Sequence, residues 1–221
     1  MANVITAGNS SNGGTAITTD TSGTLNIVTG SGSGSNAITI DASQAVVMPG
    51  NLTVSGTLTA SGGVAGGIRS GTAVASTSGT SIDFTSLPTG IKRITVMLSG
   101  VSTNGTSIKM LQLGTTSGFE NTGYAGTTSN GSSQASVSST GFNLDQSLAA
   151  NFASVGIATI ALVGSNNWVF SCSFGYSTGT STAVAIGGGN KTLSGTLDRV
   201  RITTVNGTDA FDAGSINILF E

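Results

Sequence analysis

The side chains that usually carry catalysis are scarce in this chain. It has no histidine, so the commonest base near neutral pH is missing and neither a Ser–His–Asp nor a Cys–His site can be built within it. The single cysteine, Cys172, lies on the aromatic side of "NWVFSCSFGYS" (167–177), where it reads as a small buried hydrophobe. Structural zinc needs clusters of Cys and His, so neither a metal nor a cofactor is expected. Carboxylates remain. Asp209 and Asp212, in "DAFD", suit either a calcium ligand pair or half of a glycosidase pair; the plainer reading is an Asn-Gly-Thr-Asp turn leading into a strand. Asp198, Arg199 and Arg201 stand together in "LDRVRI", as a solvated face or as salt bridges between subunits. Among the aromatics, Tyr124, Trp168 and Tyr176 could stack on a sugar. Trp168 reads as core. Tyr124, inside the Gly/Ser-rich "ENTGYAGTTSNGSS", reads as exposed and is the better candidate for a ligand contact.

These residues must be held by strands. Glycine fills 34 of 221 positions, about twice the usual share of roughly 7%. Straight-chain helix formers are rare, while Thr, Val and Ile abound, a balance that disfavours helix and favours strands joined by tight turns. Period-two alternation is explicit in several places. "IKRITVMLSGV" (91–101) puts Ile94, Val96 and Leu98 on one face, and the closing run does the same with Ile216, Ile218 and Phe220. "NWVFSCSFGYS" puts Trp168, Phe170, Cys172, Phe174 and Tyr176 on one face. "GIATIALV" (156–163) is apolar on both faces, as a central or an interface strand would be. "LPTG", "STNGT", "GSNN" and "VNGT" punctuate these runs as turns. Only "SLAANFAS" (147–154) has the makings of a helical turn. The pattern predicts an all-β fold: an antiparallel, jelly-roll-like β-sandwich over residues 67–221.

Upstream the texture changes. Residues 1–48 are short apolar triplets among turn formers, with "GSGSGSN" (30–36) in the middle, a composition that cannot build a core alone. In "GNLTVSGTLTASGG" (50–63), Leu52, Val54 and Leu58 share one side of an alternating strand whose partner must come from elsewhere. The sequence therefore predicts an extended arm over 1–48, a short β stalk and hinge over 49–66, and a head over 67–221, with the arm and stalk intertwined with those of other chains.

Charge narrows the partners. Lys and Arg number 7 and Asp and Glu 9, with no basic run, too few cations to neutralise several phosphates of a duplex; no nucleic-acid partner is expected. No stretch approaches 18 consecutive apolar residues, so no membrane insertion is expected. "MANVITAGNSSNGG" has neither the basic start nor the apolar core of a secretion signal. One cysteine excludes an intrachain disulfide.

Three segments carry a resemblance: "IDFTSLPTGIKRITVMLSGVSTNGT" (82–106), "GYAGTTSNGSS" (123–133) and "KTLSGTLDRVRITTVNGTDAFDAGSINILFE" (191–221). In them the C-terminal two-thirds resembles the tail-fibre-like structural proteins of tailed bacteriophages, and "GNLTVSGTLTA" is similar to stalk strands in phage fibres. The resemblance implies a homotrimeric virion protein with a β-sandwich head. Its arm, residues 1–48, would dock to other virion proteins of the tail, portal or capsid, and its head would face the host surface. The resemblance assigns no functional residue; Tyr124, chosen from its own surroundings, is the candidate contact for a receptor such as a surface glycan. Capsid decoration and glycan degradation are the alternatives. Asp198, Arg199 and Arg201 would then pair across subunits and set their register, and the loss of Arg201 would be costly to the trimer.

Overall fold

A computed structural model describes residues 25–29, 35–40, 46–47, 67–131, 135–146, 150, 152–177 and 182–221. The chain divides into two units, Met1–Ala60 and Ser61–Glu221, a break that falls inside the segment expected to form the stalk. In the first unit, β1 (Leu25–Thr29), β2 (Ser35–Ile40) and β3 (Val46–Val47) form an antiparallel meander. The alternating strand expected over 50–63 lies outside the described residues.

The second unit is all-β, with no helix among the described residues. Its strands are β4 (Arg69–Ser70), β5 (Val74–Ala75), β6 (Ser81–Phe84), β7 (Arg93–Thr103), β8 (Lys109–Thr115), β9 (Gly118–Phe119) and β10 (Tyr124–Ser129). They continue with β11 (Ala135–Ser138), β12 (Phe142–Asn143), β13 (Ala153–Gly164), β14 (Asn167–Ser177), β15 (Thr182–Thr192), β16 (Arg199–Thr204) and β17 (Phe211–Phe220). The larger sheet runs β11-β10-β15-β14-β13-β7-β17-β4, with β5 also on β17. The smaller runs β12-β8-β16-β6, with β9 on β8. All pairs in both are antiparallel. Of the segment considered for a helical turn, Ala153 and Ser154 open β13.

One core lies between the sheets, the arrangement of a β-sandwich. The larger sheet contributes Ile94, Val96, Leu98, Ile160, Trp168, Phe170, Phe174, Ile216 and Ile218; the smaller contributes Ile82, Phe84, Leu111, Leu113, Val200, Ile202 and Phe142. Along β14 burial alternates without interruption from Trp168 to Tyr176, because every second side chain of a pleated strand faces the core. Phe142 carries the contact across the layers. Fully buried, it stacks on Phe170 at 4.5 Å and meets Tyr124 edge-on at 4.9 Å.

Glycine makes room for that ring. A Cβ at Gly189 would stand 2.5 Å from the Ala125 carbonyl oxygen and 3.1 Å from Phe142, so β15 approaches β10 and β12 only without a side chain there. Between β13 and β14 the chain reverses through Ser165 and Asn166, both at positive φ (48° and 61°), the two-residue turn whose twist matches that of the flanking strands.

Candidate functional site

Tyr124 is not a surface residue. It is 5% exposed, a correction to its reading as an exposed receptor contact. It opens β10 on the inward face, opposite Lys191. Its hydroxyl donates to the Glu120 carbonyl at 3.0 Å and accepts from the Leu113 backbone N–H at 2.7 Å. Burial pushes the phenol pKa upward. The Lys191 ammonium sits 5.5 Å from its ring centroid and 2.5 Å from Glu120, which also accepts from the backbone N–H and hydroxyl of Ser194. Burial alone would raise the Glu120 pKa; the hydrogen bonds from Lys191 and Ser194 outweigh it and hold the carboxyl below its ordinary value. Tyrosine here pins the edge of the smaller sheet to the larger one. Trp168 and Tyr176 are likewise interior, and Tyr176 donates to the Leu144 carbonyl at 2.9 Å.

The charged strand is β16, in the smaller sheet. Arg201 lies directly opposite Asp83 of β6 and meets it through two bonds, Nε to Oδ1 at 2.8 Å and Nη2 to Oδ2 at 2.7 Å. The guanidinium also stands 4.0 Å from the Phe119 ring centroid. The hydrogen bonds it donates to Asp83 raise its pKa further. Its carboxylate partner is therefore Asp83 of the same chain, a residue the sequence did not single out. Arg199 pairs with its neighbour Asp198 at 2.7 Å and reaches the Thr116 carbonyl. Asp83 could not be found by proximity in sequence, since it is 118 positions away.

The remaining acids hold structure too. Asp145 and Lys109 form a pair at 2.9 Å with side chains 4% and 6% exposed, and Asp145 also accepts from the Lys109 backbone N–H. Asp209 accepts from the Asn206 amide and the Ser107 backbone N–H, which together hold its carboxyl below the ordinary range. Asp212 accepts from the Ser102 hydroxyl, and Glu221 pairs with Arg93 at 2.8 Å. Every carboxylate among the described residues thus has a partner within the chain. Asp209 and Asp212 serve two separate contacts, one in the turn after β16 and one between β7 and β17. Cys172 is 8% exposed, and burial, followed by the nearby charge of Asp145, pushes its thiol up to about 12.

Two larger hollows open at the margins of the head. One, of about 440 Å³, is lined by Arg69, Asp83, Phe84, Pro88 and Phe220 among others. The other, of about 310 Å³, is lined by Ile91, Lys92, Leu162, Asn166, Trp168 and Thr196 among others. The first contains one carboxylate and the second none, whereas most glycosidases use two. No group of three or more metal-ligating side chains occurs among the described residues. No family model, curated protein or solved structure matches the chain.

Proposed function

We propose that this chain is a structural protein of a bacteriophage virion, a homotrimeric tail or head fibre. Residues 1–48 anchor it to the particle, residues 49–66 form the stalk and residues 67–221 stand outward as a head for host-surface contact. The observation that carries this reading is how the head spends its ionisable groups: each described carboxylate is tied to a neighbour in its own chain. Such a head is built to hold a shape and to pack. The resemblance of segments 82–106, 123–133 and 191–221 to tail-fibre-like proteins supplies the setting, and the short apolar triplets of the arm suit a segment that gains order from other chains.

Electron microscopy of particles labelled with antibody against the head tests the assignment. Label on fibres projecting from the tail or the head vertex is expected. An even coat of label over the shell would replace the fibre by a capsid decoration protein, and unlabelled particles would overturn both. Deletion of residues 1–48 is expected to abolish incorporation into particles; truncated protein that still incorporates would remove the anchoring role from the arm.

A further inference from the structure

The outer face of the larger sheet is apolar where soluble strands are ordinarily polar. Val155 and Ile157 on β13 are 56% and 50% exposed, and Val184 and Ile186 on β15 are 56% and 59% exposed. Between them runs β14, whose outward positions are small: Ser173 sits between Ile157 and Ile186, and Gly175 between Val155 and Val184. The relief is an aliphatic ridge, a furrow of small residues one strand wide, and a second ridge. Val169 closes one end of the furrow. The sole charged residue of these three strands, Lys191, points inward and is buried.

We propose that copies of this chain associate through this face, the ridges of one copy entering the furrow of the next. The inference rests on the reading of the chain as a self-assembling virion protein and names the surface that does it. Three features select a second copy as the occupant. A ridge of one copy fits the furrow of the next, because both have the spacing of neighbouring strands, about 4.8 Å, and a contact between these different parts of the face is heterologous, as a three-membered ring requires. Over β13–β15 it lacks the outward charged groups by which unlike partners are usually steered and discriminated. The flanking Arg93 at the start of β7 is already paired with Glu221, so neighbouring copies meet there without repulsion. The strands β10, β15, β14, β13 and β7 present roughly 800 Å² at the usual strand spacing and rise, about what each partner contributes to a stable interface.

Association edge to edge is disfavoured. The larger sheet ends in β11, of 4 residues, and in β4 and β5, of 2 residues each, and short edge strands are poor templates for pairing.

The test compares the full-length protein with Ile157→Glu/Ile186→Glu and with Val205→Glu. Val205, 48% exposed, lies in the turn after β16 and serves as a control off the face. Sedimentation is expected to give the unmodified chain and the control about three times the 21.6 kDa chain mass. The double variant is expected to sediment as a single chain, or to dissociate at clearly lower urea, while keeping a cooperative melt. If the glutamates prevent folding, Ile157→Thr/Ile186→Thr is read in their place. A double variant that assembles and dissociates like the unmodified chain would overturn the proposed face and leave the fibre reading standing. An unmodified chain that sediments as a folded monomer would overturn both.

Discussion

The two sheets of the head differ most on the sides they turn away from the core. The smaller sheet carries charge outward on β16 and closes it locally: Arg201 on Asp83 with Phe119 against it, Arg199 on Asp198. The larger sheet carries outward charge on β7 and β17, where Arg93 pairs with Glu221 and Asp212 with Ser102. Over β13–β15 it turns no charge outward and offers aliphatic ridges and a furrow of serine and glycine. Both sheets contribute inward faces to the same core, so core formation does not explain the difference. A charge satisfied by its own chain gains little from a partner. An exposed Ile gains about 25 cal/mol for each Å² that a partner removes from water. The face that looks chemically idle is thus the one with free energy still to gain by contact. The division also shifts the expected role of the charged segment, from setting register between subunits to fastening β16 to β6.

The largest effect is expected between the sheets, where charge is deepest. Asp145→Ala leaves the Lys109 ammonium buried without its carboxylate, and a broken buried pair typically costs about 3–5 kcal/mol. Urea unfolding of the variant measures it; a loss under about 1 kcal/mol would mean that water reaches the pair as it does at the surface. Next comes Glu120→Gln, which weakens the acceptor for Lys191 and Ser194 and is expected to cost about 1–3 kcal/mol near neutral pH. Because the folded-state pKa of Glu120 lies below its ordinary value of 4.5, the unfolded chain takes up the proton first on acidification. The carboxylate's contribution is therefore complete above about pH 4.5 and is lost as the pH falls through the lowered folded value. Melting curves of both proteins should converge in that window, and a gap that persists at pH 2 would deny the charge its role.

The two outer faces give the smaller and more telling pair. Arg201→Ala removes a bidentate but third-exposed contact and a cation–π contact, so its cost should be about 1 kcal/mol, appearing in unfolding of the chain and not in dissociation of the assembly. Ile186→Glu should do the reverse, changing the unfolding free energy of the single chain by under about 0.5 kcal/mol while weakening association. If Arg201→Ala dissociates the assembly and Ile186→Glu does not, the roles of the two faces are exchanged.

How far these features could be read beforehand depends on their range along the chain. The alternation of β14 and the inward faces of β7 and β17 are local patterns and are plain in the sequence. The segment 156–163, apolar on both faces, marks a strand that is central in its sheet and keeps Ile157 exposed. The Arg201–Asp83 pair depends on the register between β6 and β16, and nothing local fixes a register between strands so far apart. Tyr124 misled because its glycine-rich surroundings resemble an exposed loop. In "YAGTTS" the inward positions Tyr124, Gly126 and Thr128 do alternate with Ala125, Thr127 and Ser129, a weak period-two signal. The glycines are there for close approach: a Cβ at Gly126 would come within 3.3 Å of Phe142. Seven consecutive buried residues in β8 were equally hidden, since their outer side is covered by the segment around Thr140 and Gly141, which meets Gln112 and Met110.

The most direct test of the contrast between the faces is thiol modification of two single-site variants of the full-length protein. Ser173→Cys places a thiol in the furrow of the larger sheet, and Thr85→Cys places one at the exposed residue that follows β6 of the smaller sheet. The native Cys172 is buried and its thiol is held high, so it adds little background. A maleimide reagent should label Thr85→Cys rapidly and Ser173→Cys far more slowly, with the difference disappearing once urea separates the chains. Equal, rapid labelling at both positions in the undenatured protein would contradict the claim that the larger sheet's outer face is where copies of this chain meet.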